Sequence, residues 1–298
     1  MIKIALVALA AALQAAEGTP SYALKKDVWT KACKATADLA KVPSQALSNQ
    51  NIKANNLHEN IRNGLRIRIY MAIQQGDKNA TAKFAPLAAY TDDQTKQILG
   101  AIEQSNKDAI TQVQAASFTH GLLAEFLTLF AGANEGASSH GCLSSDNAGA
   151  GDVVAGAADL KIKEALCKVE PEPVEPVSQN FEHTTDRSFG GLETATAHGS
   201  TAAGATDKCR LTTGTTTDNF IEGTGTLSGT LHHGGGALTV TSTQTMQGAL
   251  TFAEDSATRT GQKQLFKGWQ AIQAARTPAP QYRQPSLDTM KANAAFRS

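Results

Sequence analysis

Between Val28 and Gln75 the chain carries one proline, Pro43, and little glycine, and its apolar residues recur on one face of a helical period. Leu57, Ile61, Leu65 and Ile69 fall four apart, and Ile52, Met71 and Ile73 extend the stripe. Gly76-Asp77-Lys78-Asn79 breaks the pattern as a polar turn. A second helical stretch is expected from Thr91-Asp92-Asp93, where Thr91 can cap and the two acids suit the positive end of the helix dipole. It continues through Ile98, Ile102, Ile110, Val113, Phe118, Leu122, Phe126 and Leu129, and stops at Gly132. Helices over 28–76 and 91–131, joined by a short turn, fold back as an antiparallel hairpin of about 60 Å at 1.5 Å rise per residue. Two helices cannot enclose each other's apolar faces, so the hairpin calls for a third helix or a second copy of the chain.

The amino terminus reads as a secretory signal. Lys3 precedes an apolar run, Ile4 to Leu13, too short to span a bilayer, and the small residues Ala15 and Ala16 place cleavage near Ala15–Glu17. This assigns 1–16 to a signal peptide and 17–298 to the mature chain. In an oxidising compartment the four cysteines read as two disulfides rather than a redox or metal site. Lys+Arg and Asp+Glu both number 27, which leaves no electrostatic case for nucleic acid or an anionic membrane surface. Aromatic content is only 5%, so the core relies on small residues at close helix contacts.

After Gly132 the composition shifts. Ala133 to Gly156 is rich in Gly, Ala, Ser and Asn, and a short helical piece spans Ala157 to Cys167. Glu170-Pro171-Glu172-Pro173-Val174-Glu175-Pro176 cannot be helix, because each proline removes a donor and restricts its predecessor. Gly190 to Ala253 is Thr/Gly-rich with short alternations such as Ala237–Thr241, which read as modest strands between long loops. A return helix over about Ser256 to Arg276 presents Leu265, Trp269 and Ile272, and Pro278 and Pro280 end it. The fold class is therefore mainly α: an elongated hairpin, a coiled-coil rod, with a loop-rich α+β head over 132–255 and a return helix over 256–276. Cys33 near the start of the first helix and Cys142 beyond the end of the second meet at the head end of the hairpin, where Cys167 and Cys209 also lie. Three pairings of four cysteines remain open on spacing alone.

The signal peptide, a Cys opening a long helix, a returning helix that ends near His140-Gly141-Cys142, a further Cys before a Pro/acidic loop, and the block Lys208-Cys209-Arg210-Leu211-Thr212 together resemble class A variant surface glycoproteins of trypanosomes. The likeness runs from Met1 to about Ala275 and extends to the related transferrin-receptor subunits. It rests on the cysteine order with the hairpin rather than on any one motif. The resemblance implies Cys33 paired with Cys167 and Cys142 with Cys209, each bridge contributing about 3 to 5 kcal/mol. It also implies a non-catalytic surface coat glycoprotein, homodimeric, acting in antigenic variation and evasion of host antibody. That product is carried through the secretory pathway to the outer face of the plasma membrane and held there by a glycosylphosphatidylinositol anchor, with host antibodies directed against the head loops. The alternative is a receptor subunit of the same fold that binds a host macromolecule such as transferrin. Members of the family continue into a Cys-rich C-terminal domain and a hydrophobic anchor signal, and neither follows Phe296-Arg297-Ser298. The expectation is a fragment or truncated copy first, and an unanchored subunit second.

Asn79-Ala80-Thr81 is an N-glycosylation sequon in the turn between the long helices, opposite the head. Catalytic and cofactor readings find little. His232-His233 adjoins Gly234-Gly235-Gly236, yet no Asp, Glu or Cys stands at metal-ligand spacing and neighbouring strand residues point apart. His140 beside Cys142 would suggest a Cys–His nucleophile only if that Cys were reduced. Gly223-Thr224-Gly225 followed by Gly229 misses the dinucleotide fingerprint. Arg62, Arg66 and Arg68 read as a solvated basic face. No catalytic residue, cofactor or metal is expected.

Overall fold

A computed structural model of the chain describes residues 23–136, 140–147, 152–189, 192, 209–212, 227–241, 245–247, 262–277, 279 and 292. The leader expected at 1–16, the Gly223–Gly225 stretch, most of 190–253 and the first part of the return helix lie outside these residues. The architecture is mainly helical. Helix α1 is Lys26–Leu39, α2 Val42–Ile73, α3 Lys78–Gly132, α4 Ala157–Lys163 and α5 Lys263–Ala275. Strands β1 (Leu231–His233), β2 (Leu238–Val240) and β3 (Thr245–Gln247) form an antiparallel sheet in that order.

Three boundaries differ from the sequence reading, the simplest being α4, which stops at Lys163, short of the expected Cys167, with Glu164 extended. The first long stretch is two helices, because Pro43 has no N–H to give and its ring crowds the carbonyl four residues back. Ala40 and Lys41 fill the break as a turn, with Lys41 N–H donating to the Asp38 carbonyl at 3.1 Å. The second long helix starts at Lys78, well before Thr91. Asp77 supplies the start: its carboxylate accepts the Asn79 N–H at 2.8 Å and its carbonyl accepts the Thr81 N–H at 3.1 Å. Pro86 lies inside the helix, and the carbonyl it leaves unmatched belongs to Ala82, which is exposed and open to water. Thr91 is an interior residue whose hydroxyl donates to the Ala88 carbonyl at 2.8 Å.

The chain divides into two compact units. The first comprises residues 1–42, 114–173 and 180–274, and the second 43–113, 174–179 and 275–298.

In the first unit Trp29, Leu39, Leu123, Leu127, Phe130, Leu143, Phe189, Leu238, Leu265 and Ile272 are buried together with the cysteines. The Trp29 indole N–H donates to the Ser144 carbonyl at 2.9 Å, so the ring is buried without an orphaned donor. Leu24 pairs with Leu143 in a parallel bridge. Asp38, fully buried, accepts from Lys41 Nζ at 3.2 Å, from the His183 N–H at 2.9 Å and from the Thr184 hydroxyl at 2.8 Å, so its charge is matched on every side. Gly234, Gly235 and Gly236 link β1 to β2 with φ of 58°, 66° and 96°, a run that only glycine adopts cheaply. Gly268 on α5 lies so close to α3 that an added Cβ would sit 2.6 Å from the Thr119 hydroxyl oxygen.

In the second unit α2 and the first part of α3 form the expected antiparallel hairpin, but apart from buried Tyr90 and the Tyr70–Phe84 contact near the turn its seam is mostly polar and small. Asn60 and Gly64 of α2 are buried against Thr91 of α3, and Gln50 donates to the Ser105 hydroxyl at 2.8 Å. The expected stripe points outward: Ile61, Leu65 and Ile69 are exposed and Leu57 is only half-buried. The seam consists of side chains that hydrogen-bond to carbonyls and hydroxyls of the facing helix, and a glycine lets the backbones approach. At the start of α2, Ser44 Oγ accepts from the Glu175 N–H at 3.1 Å and Gln45 Oε1 from the Gln179 N–H at 2.6 Å. Asn49 Oδ1 likewise accepts from the Ala279 N–H at 3.1 Å. The end of the Pro/acidic segment is thus held by a side chain of α2, while Glu170 and Glu172 at its start pair with Lys161 and Lys168.

Candidate functional site

The chemistry-bearing residues gather in the first unit around two disulfides. Cys33 of α1 is bonded to Cys167, which follows α4, and Cys142 is bonded to Cys209. All four sulfurs are buried and none of the cysteines is free. The bridges close separations of 134 and 67 residues, so each removes enough chain entropy from the unfolded state to stabilise the unit by about 4 kcal/mol. Gly141 is needed beside Cys142, since a Cβ there would lie 2.8 Å from a Val153 methyl.

The His140 ring is turned to Glu135, its Nδ1 3.0 Å from the carboxylate, and the neighbouring Cys142 is oxidised, so there is no thiolate for it to activate. His232 and His233 diverge. His232 Nδ1 is 3.3 Å from the Thr239 hydroxyl across the β1–β2 pair, whereas His233 Nε2 is 3.2 Å from the Leu211 carbonyl and its ring packs on Phe126 and Phe130. Burial pushes the His233 pKa below its ordinary value, against the pull of the Leu211 carbonyl. His120 on α3, which the sequence did not single out, lies with Nε2 2.6 Å from the Lys168 carbonyl; burial lowers its pKa as well. His120 and His233 thus each tie a helix or strand to a carbonyl one or two residues past a bridged cysteine. Among the described residues no three His, Cys, Asp or Glu side chains gather as a metal site.

In the second unit the arginines face ordinary neighbours. Arg62 pairs with Glu59 at 3.6 Å, Arg66 lies 3.5 Å from Asn63 Oδ1, and Arg68 forms a two-oxygen contact with Asp92. Asn79 is exposed in the first turn of α3, and the Thr81 hydroxyl is 3.3 Å from the Asp77 carbonyl. No described helix is long and apolar enough to cross a membrane.

Residues 4–297 match the family described as trypanosome variant surface glycoprotein (A-type). The chain belongs to that family. No curated protein matches it. Among solved structures, 17 chains match this surface glycoprotein. One of them, described as "Structure of MITat 1.1", has 21% identity and a TM-score of 0.77, covering 94% of this chain and 76% of the other. At that identity the likeness speaks for the fold. The A-type surface glycoproteins are structural, non-enzymatic coat proteins of the cell surface, and the buried disulfides and paired histidines of this member fit a scaffold rather than a reaction centre.

Proposed function

We propose that this surface glycoprotein acts in antigenic variation: it presents a variable, loop-rich head to host antibody while a helical scaffold is kept constant. The observation that carries the reading is the division of labour in the chain. Two buried disulfides and a helical core hold the first unit, and 133–156 and 190–253 contribute Leu143, Val153, Leu238 and Val240 to that core; the Thr/Gly/Ala-rich remainder of both segments is of a composition that can change at little cost to it. The leader near 1–16 directs the chain to the secretory pathway, Asn79 carries an N-linked glycan, and a glycosylphosphatidylinositol anchor holds the protein at the membrane, as in the family. A homodimer is supported by the outward stripe of Ile61 and Leu65 on α2, which asks for an apolar partner.

The test pairs epitope mapping with light scattering. Antibodies raised against the intact protein should bind cells that display it through 133–156 and 190–253, and the purified chain should run at twice its monomer mass. Saturable binding of a host serum macromolecule, with antibody contacts spread over both units, would favour the receptor reading instead.

A further inference from the structure

The tip of the hairpin in the second unit carries an apolar cluster in an unusual place. Ile73, the last residue of α2, is 74% exposed, Tyr70 one turn earlier is 44% exposed, and the Tyr70 ring packs on Phe84 of α3 with centroids 4.7 Å apart. The hairpin turn lies between, and directly after it, in the first turn of α3, stands Asn79 of the only sequon noted in the chain. Five residues separate Ile73 from Asn79, and they form a tight turn: Asp77 N–H donates to the Gln74 carbonyl at 2.9 Å. The attachment point is therefore fixed within a few residues of the cluster.

We propose that the N-linked glycan on Asn79 folds over this tip and covers Tyr70, Ile73 and Phe84, replacing the protein partner such a patch would otherwise demand. The inference rests on the glycosylation reading above. Sugar rings present C–H faces that pack on aromatic and aliphatic side chains while their hydroxyls stay in water, so one bulky polar group both shields and solubilises the patch. In the attachment step the Asn79 amide nitrogen bonds to the anomeric carbon of a lipid-diphosphate-linked oligosaccharide. The bond from that carbon to the diphosphate oxygen breaks, and an amide proton passes to a base. The glycan takes the tip end of the outward stripe and leaves Ile61 and Leu65, farther along α2, for a second copy.

Mass spectrometry of the secreted protein comes first, followed by enzymatic removal of the glycan from the folded molecule. Removal should raise the fluorescence of 8-anilinonaphthalene-sulfonate by about two- to threefold, as a newly exposed apolar patch does. Amides of 69–74 should exchange faster with deuterium. In a Tyr70→Ser/Ile73→Ser variant the dye response to removal should vanish. An occupied Asn79 whose removal leaves dye binding and exchange unchanged overturns this inference alone. An unoccupied Asn79 overturns the glycosylation reading and this inference together. Because the glycan is removed after folding, neither outcome depends on whether an Asn79→Gln variant folds.

Discussion

Asn60 on α2, 3% exposed, donates its side-chain amide to the Thr91 main-chain carbonyl at 3.0 Å and lies 2.9 Å from the Thr95 hydroxyl. One amide therefore matches two groups of the facing helix at the polar seam and sets the register of the hairpin.

Asn60→Leu is the test of that role. It leaves the Thr95 hydroxyl without its amide partner and removes a donor from a buried carbonyl, so the chain should lose about 1 to 3 kcal/mol in urea unfolding. Asn60→Gln, which keeps the amide but moves it by one methylene, should lose less. A loss within error for Asn60→Leu would mean that the seam does not depend on this residue.

Gly268→Ala forces a methyl group into the Thr119 side chain. The expected cost is about 1 to 3 kcal/mol, as for other overpacked cores. Thr119→Gly in the same chain should recover more of it than Thr119→Ala, because the Thr119 Cβ, which alanine keeps, itself lies 2.7 Å from the added methyl. A lack of recovery would place the strain elsewhere.

Both His120 and His233 have folded pKa values pushed below 6.5 by burial. The unfolded chain then binds more protons than the folded one as pH falls, so stability from these groups is full above about 6.5 and is lost below it. Thermal unfolding of the wild-type protein should show a melting temperature that declines between pH 7 and pH 5. His120→Gln with His233→Gln should flatten that decline. A profile unchanged by the double variant would assign it to carboxylates.

Cys33→Ser with Cys167→Ser should destabilise the first unit by about 4 kcal/mol, and Cys142→Ser with Cys209→Ser by a similar amount. Peptide mapping of the unreduced protein should return those two bridges and no others. Any other pairing would contradict the geometry at the buried sulfurs.

The helices themselves are legible in the sequence because the spacing of Leu57, Ile61, Leu65 and Ile69 is a helical period, and Gly76-Asp77 interrupts it just before α3 begins at Lys78. What that spacing could not tell was which side of the helix faces the partner. Periodicity marks a face as apolar, but the hairpin closes through Asn60, Gly64, Thr91 and Ser105, residues whose value lies in hydrogen bonds and close approach. The α3 start differs because Thr91-Asp92-Asp93 reads as a cap with acids behind it, whereas Asp77 caps earlier and the carbonyl Pro86 leaves unmatched belongs to exposed Ala82. His120 carries no neighbouring signal in sequence: its partner, the Lys168 carbonyl, is 48 residues away.

The two disulfides interlace, since Cys142 falls between Cys33 and Cys167, and Cys209 beyond them. A single backbone cut anywhere from 34 to 208 therefore leaves one covalent molecule: whichever bond is broken, at least one bridge spans it. A protease that nicks an exposed loop in this interval opens the chain without shedding any of it, and the coat keeps its covering while the loop itself is spent.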